Sequence, residues 1–214
     1  MNQKSVLVTI ISLAVIFVFL FAVYLLINKT PDYSEILKVS KQDHVKWSLD
    51  QKHVLYEYSD LQCPACAVFH ESLSTYEATG SAHHEITKKV TLVFRHFPLY
   101  QNHENAFEIA YAAEAAGKQG KFFDMISSLF ADQRQLTNAS NTRMFLTEKA
   151  RSIGLDTEQF LKDMENPDIQ AKVQADLAGG EQMGINATPT FFLDGQKLEI
   201  QNPQQLLDVL KDLD

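Results

Sequence analysis

The 22 positions from Val6 to Ile27 carry no charge, and their only polar members are Thr9, Ser12 and Tyr24. A helix over them rises ~1.5 Å per residue and covers ~33 Å, enough for the ~30 Å hydrocarbon core of a bilayer. Three readings follow, an uncleaved anchor, a leader that is removed or a buried core helix, and the first two deliver the rest of the chain across a membrane. A leader has an apolar region of roughly 7–15 residues that ends in small residues before the cut. This run is longer and closes on Tyr24-Leu25-Leu26-Ile27, with no Ala-x-Ala pattern. A single-pass anchor in the cell membrane through residues 6–27 is therefore expected, with the remaining domain on the extracytoplasmic side. Lys4 before the run and Lys29 after it orient it only weakly.

Beyond the anchor, the 214-residue chain has room for one domain of ordinary size. Its net charge of −8 leaves no basic stripe for phosphates, so nucleic acid is not an expected partner. Strand character marks 44–48, 54–58, 90–97, 190–193 and 197–200, the last two flanking the hairpin signal Asp194-Gly195. Helical patterning begins at Cys63, where Pro64 is tolerated in the first turn. It resumes on faces built from Phe107, Ala110 and Tyr111, and from Phe122, Ile126 and Leu129. Asp156 with Gln159 reads as a capping box, and Asn166-Pro167 and Asn202-Pro203 each read as a cap and first helical residue. Gly179-Gly180 weakens its helix, and the sequence offers no reason for it. The order is strand–helix–strand, a helical stretch, then hairpin and helix. That is an α/β layout of thioredoxin-like fold with an inserted helical domain, preceded by one N-terminal transmembrane helix. The expected division is 1–28 cytoplasmic tip and anchor, 29–41 a polar stalk, 42–98 with 181–214 the α/β domain, and 99–180 the helical insertion.

Only two cysteines occur, Cys63 and Cys66, too few and too close for a disulfide framework. Placed after a strand and at the opening of a helix, the first lies where unpaired N–H groups and the helix dipole favour a thiolate. Cysteines in such motifs fall to ~3.5–7.5 in pKa, and the thiolate is the attacking species in exchange. One turn further on, Cys66 can resolve a mixed disulfide. The competing metal reading takes Cys63, Cys66 and His70 in C-x2-C-x3-H spacing and needs a fourth ligand from His83, His84 or elsewhere. Haem attachment is excluded because Ala67 stands where a histidine is required.

The stretch Glu57-Tyr58-Ser59-Asp60-Leu61-Gln62-Cys63-Pro64-Ala65-Cys66 resembles the active-site segment of DsbA-like thiol–disulfide interchange proteins of membrane-anchored bacterial type. The likeness extends to Arg95-His96-Phe97-Pro98-Leu99, to the alanine-rich segment 106–116, and to Gly184-Ile185-Asn186-Ala187-Thr188-Pro189-Thr190-Phe191. It implies that Pro189 is a cis-proline facing the cysteines and that Thr188 exposes backbone to an extended substrate. It also implies that Glu57 is a buried acid that shuttles the proton of Cys66; strand alternation alone leaves its direction open. It further implies disulfide formation in reduced, exported proteins and re-oxidation by a membrane quinone-linked partner. A reductase or isomerase of the same chemistry is the alternative, and a zinc-stabilised, non-catalytic binding domain is the third. No cofactor is expected, since the sulfurs carry the electrons, no metal is expected, and a monomer is expected. Pro64-Ala65 departs from members with histidine before the second cysteine, which leaves the strength of the oxidant open.

Overall fold

The computed structural model describes residues 2–27, 31–79 and 83–213. The chain divides into two units, with the break between Asp32 and Tyr33. The first holds helix α1 (Gln3–Ile27), whose described side chains run without interruption only from Ile10 to Tyr24 and are nearly all exposed. Among the described residues no helix is long and apolar enough to cross a membrane.

The second unit begins earlier than the expected stalk allows. Tyr33 donates its N–H to Gly195 O at 2.8 Å and sets its ring edge-on to Phe192, and Leu37 is buried. Residues 33–41 are therefore packed rather than free, because two apolar side chains in a polar stretch suffice to pin it.

Five strands form one sheet in the order β1-β3-β2-β4-β5. In chain order the unit runs β1 (His44–Trp47), β2 (His53–Ser59), α2 (Pro64–Thr79), α3 (His83–Lys89) and β3 (Val90–His96). The helical stretch follows as α4 (Ala106–Lys118), α5 (Phe122–Ala131), α6 (Gln133–Thr137), α7 (Thr142–Ser152), α8 (Thr157–Met164) and α9 (Pro167–Gln182). The chain then returns through β4 (Thr190–Leu193), β5 (Gln196–Leu198) and α10 (Pro203–Lys211). Only β2 and β3 run parallel; β1, β4 and β5 pair antiparallel with their neighbours.

Alternation along β2 divides the core, since successive side chains take opposite faces. Leu55 packs with Phe69 and Leu73 of α2 and with Leu206 and Leu210 of α10. Tyr56 and Tyr58 face the other way, against Leu177 of α9, Met183 and Ile185. A third cluster joins Leu61, Cys63, Cys66 and Phe94 of β3 to the helical stretch through Met125, Ile126 and Leu129.

The helix starts follow the sequence reading. Asn166 and Asn202 cap α9 and α10 by accepting from Asp168 N and Gln205 N, each with proline in the first turn. Asp156 accepts from Glu158 N and Gln159 N, but the box is not closed: Gln159 turns to Asp163, and Asp156 N–H is taken by the Gln119 side chain. At the hairpin, Asp194 and Gly195 both have positive φ, 49° and 82°. This tight turn puts Gln196 opposite Leu193, so β5 starts one residue before the expected 197 and ends at Leu198.

Candidate active site

Beyond the end of β2 the chain turns through Asp60-Leu61-Gln62 to reach Cys63, and Pro64 opens α2. Asp60 makes that turn. Its buried carboxylate accepts from Gln62 N and from Leu99 N, both at 2.6 Å, while Cys63 N donates to Asp60 O at 3.1 Å. Such local carboxylate-to-backbone bonds are what aspartate supplies in turns. His103 Nδ1 lies 3.1 Å from Oδ2, the oxygen that accepts from Leu99 N. Cys63 thus sits immediately before the first turn of α2, where the N–H groups of Ala65 and Cys66 point at its sulfur.

Neither cysteine is in a disulfide in this structure. The Cys66 thiol, donating to the Cys63 sulfur, holds the Cys63 thiol down to about 5; the Thr188 side chain and the backbone N–H groups of Cys66 and Ala65 act in the same direction, against burial. Burial pushes Cys66 well above the ordinary thiol value, and the negative Cys63 beside it adds to the shift. The residues differ in access too, Cys63 being 8% exposed and Cys66 0%. Cys63 is thus the more acidic and the less enclosed of the two sulfurs.

Across from the pair, the Thr188–Pro189 peptide is cis. The Cys63 thiol donates to Thr188 O at 3.3 Å. That contact belongs to the protonated sulfur. The Thr188 hydroxyl is buried and has no hydrogen-bond partner among the described residues, and the Thr188 side chain acts to lower the Cys63 value.

Register settles the direction of Glu57. It stands opposite Phe94 on β3 and Phe191 on β4, on the same face as Leu55 and Ser59, which is the face α2 covers. Glu57 is 3% exposed, and desolvation pushes its carboxyl up to about 7, with Ser59 and Lys46 opposing. Ser59 acts on both Glu57 and Cys66. Neither Glu57 Oε1 nor Ser59 Oγ has a direct hydrogen-bond partner among the described residues, so the line Glu57–Ser59–Cys66 is one of proximity and polarity. Ser59, Asp60 and Gln133 were not singled out as candidates from the sequence. A small hydroxyl two residues after Glu57 on the same strand face was the one available sign, for Ser59 alone.

Among the described residues no group of three or more His, Cys, Asp or Glu side chains is placed to hold a metal ion. His70 Nε2 lies 3.1 Å from Ser127 Oγ and 3.3 Å from Ser74 Oγ, its ring rests on Phe130, and burial pushes it down to about 4. The side chains of His83 and His84 lie outside the described residues. Beside the pair, Gln62, Pro64, Phe130 and Gln133 line an open groove of about 730 Å³. The Arg95–Leu99 stretch is structural: Arg95 pairs with Asp43, His96 faces Glu114, and Phe97 fills the space at Gly180.

The fold and this site define a thioredoxin-like protein with a helical insertion. The thioredoxin family model matches residues 40–212, and the chain belongs to that family. Among solved structures, a thioredoxin-like oxidoreductase from Silicibacter pomeroyi DSS-3 is 25% identical with a TM-score of 0.64, over 80% of this chain and 91% of that one. Alpha-DsbA1 of Wolbachia pipientis shares the fold at 22% identity and a TM-score of 0.69, over 85% and 95% of the two chains. BdbD of Bacillus subtilis, in its oxidised form, does so at 19% and 0.67, over 85% and 94%. Curated relatives are the Na(+)/H(+) antiporter NhaA 1 of Mycobacterium sp. (strain KMS), 36% identical over 162 residues, and NhaA of Herminiimonas arsenicoxydans, 33% identical over 179. The matches cover 73% and 80% of this chain but 24% and 26% of those proteins, so the chain spans about a quarter of their length.

Proposed function

We propose that this chain is a protein thiol–disulfide oxidoreductase that forms disulfides in reduced, exported proteins. One observation carries the reading: Cys63 is held ionised at about 5 at the start of α2 while Cys66, enclosed behind it, is kept protonated. Stabilising the thiolate stabilises the reduced form, which makes the Cys63–Cys66 disulfide an oxidant. In the oxidised enzyme a substrate thiolate attacks Cys63 Sγ, the Cys63–Cys66 bond breaks, and Cys66 leaves with the electron pair and takes up a proton. Glu57, poised near neutrality on the same face, is the proton source. A second substrate thiolate then attacks the substrate sulfur of the mixed disulfide, and the Cys63 thiolate departs. Two substrate thiols are oxidised and one enzyme disulfide is reduced. Thr188 O lies 3.3 Å from Cys63 Sγ, so the Thr188 backbone faces the pair, where an extended substrate can lie.

The same reading gives α1 the role of anchor. The support is the uncharged run of 22 positions from Val6 to Ile27, since among the described residues no helix is itself long and apolar enough to cross a membrane. The anchor would hold a monomeric catalytic unit on the extracytoplasmic side, near a membrane quinone-linked protein that re-oxidises the cysteines. Ion exchange is not carried over from the antiporters, since only a quarter of each is matched.

The reduction potential of the Cys63–Cys66 couple against glutathione tests the direction. A value above about −200 mV, with oxidation of a reduced peptide that is lost in Cys63→Ser, is the expected result. A value near about −270 mV would instead make the protein a reductase or isomerase. Membrane retention of the full chain, and release on deleting residues 1–30, is the expected outcome for the anchor.

A further inference from the structure

Gln133 opens α6, far along the chain from the cysteines, yet its side-chain amide reaches their loop. Nε2 donates to Leu61 O at 3.0 Å and to Cys63 O at 2.9 Å. Two carbonyl acceptors require the NH2 end of the amide here, because the oxygen end would face both of them with like partial charge. The helix beneath is fixed: Leu136 is buried at 1%, and Asp132, just before Gln133, is held by Lys149 and by Gln135 Nε2.

We infer that Gln133 is a positioning residue through which the helical insertion sets the reactivity of Cys63. The inference rests on Cys63 being the attacking thiolate. The amide pins the carbonyls on both sides of Gln62 and gives Cys63 O, which also accepts from Ala67 N at 3.2 Å, a second donor that holds the Cys63–Pro64 peptide plane. That plane determines how the following N–H groups of Ala65 and Cys66 face the sulfur. Pro64 has no N–H of its own, so the sulfur depends on those two groups and on Thr188 and Cys66. The amide hydrogens also place partial positive charge beside Cys63. Without them the loop samples orientations in which the thiolate is less well solvated by backbone dipoles, and less of it is present at low pH.

The test is alkylation of the reduced full-length protein by iodoacetamide across pH, comparing the parent with Gln133→Met and Gln133→Glu. Near pH 5, where Cys63 titrates, the methionine variant is expected to react about three- to tenfold more slowly, and the glutamate variant more slowly still. Well above that pH the variants and parent are expected to react alike. A folded methionine or glutamate variant whose midpoint coincides with the parent's overturns the inference, even if its thermal midpoint falls. Failure of both variants to fold also overturns it, because positioning requires a fold that survives loss of the amide. Peptide oxidation by the parent is measured in parallel. A parent that does not oxidise peptide while the variants' midpoints shift sinks the proposed function and leaves this inference standing.

Discussion

A carboxyl enclosed between Phe94 and Phe191, with one oxygen unpartnered, is a group that folding makes harder to ionise. The Glu57 value is raised from 4.5 to about 7. The stability linked to it is therefore fully present below about 4.5 and is lost as pH rises through about 7. Glu57→Gln should accordingly be more stable than the parent at pH 8 by about 2–4 kcal/mol, with the advantage gone near pH 4. Urea unfolding of the reduced proteins at the two pH values checks this; equal gains at both would show that the carboxyl is not the cause. At this scale the cysteine pair, Glu57, Thr188 and Pro189 were legible because a short motif and its flanks carry them. Ser59, Asp60 and Gln133 were not, since each earns its place through a partner that only the tertiary fold supplies. Gln133 and Cys63 are 70 residues apart.

The glycine pair near the end of α9 had no explanation in the sequence and has one in the packing. A methyl group on Gly180 would meet the Phe97 ring at 2.6 Å, whereas on Gly179 its nearest neighbour is Tyr58 Oη at 3.8 Å. Gly180 thus lets α9 lie close against the segment that follows β3, and Gly179 has no such duty. Gly180→Ala should destabilise by about 1–3 kcal/mol through overpacking, and Gly179→Ala should stabilise by about 0.5–1 kcal/mol through helix propensity. Thermal unfolding of the two variants side by side decides it, and similar shifts in both would refute the packing account. The main strands and the longer amphipathic helices were readable from period and caps. Helices α3, α6 and α7 were missed because they bury so little: Ile86 in the first, Leu136 in the second, and Thr142, Leu146 and Ala150 in the third. An apolar stripe that short has no visible period, and only the Asn141 cap on Met144 N marked where α7 begins.

In the unit from Tyr33 onward, the cysteines belong to the core of the helical insertion while Glu57 and the cis-proline loop belong to the sheet, so the site exists only while the two stay joined. Glu114 of α4 is one of the joints. It faces His44 of β1 with Nε2 at 2.8 Å from Oε2, and His96 of β3 with Nε2 at 3.2 Å from Oε1, an ion-pair distance without hydrogen-bond geometry. Phe122 stacks on His44 at 3.5 Å and closes the cluster. Burial opposes ionisation of Glu114, but the two imidazoles outweigh it and hold the carboxyl well below the usual range. A depressed carboxyl contributes stability that is present above its ordinary value of 4.5 and lost as pH falls through the folded value. Glu114→Leu removes the anion and leaves two imidazoles facing an apolar group, and at pH 7 it should cost about 3–5 kcal/mol. As the pH drops well below 4.5 the parent loses the same interaction, so the gap between the two proteins should narrow. Denaturant unfolding at neutral pH and near pH 3 measures both gaps. A difference that persists undiminished in acid would mean that Glu114 contributes by packing rather than by charge, and that the insertion is joined to the sheet by other contacts.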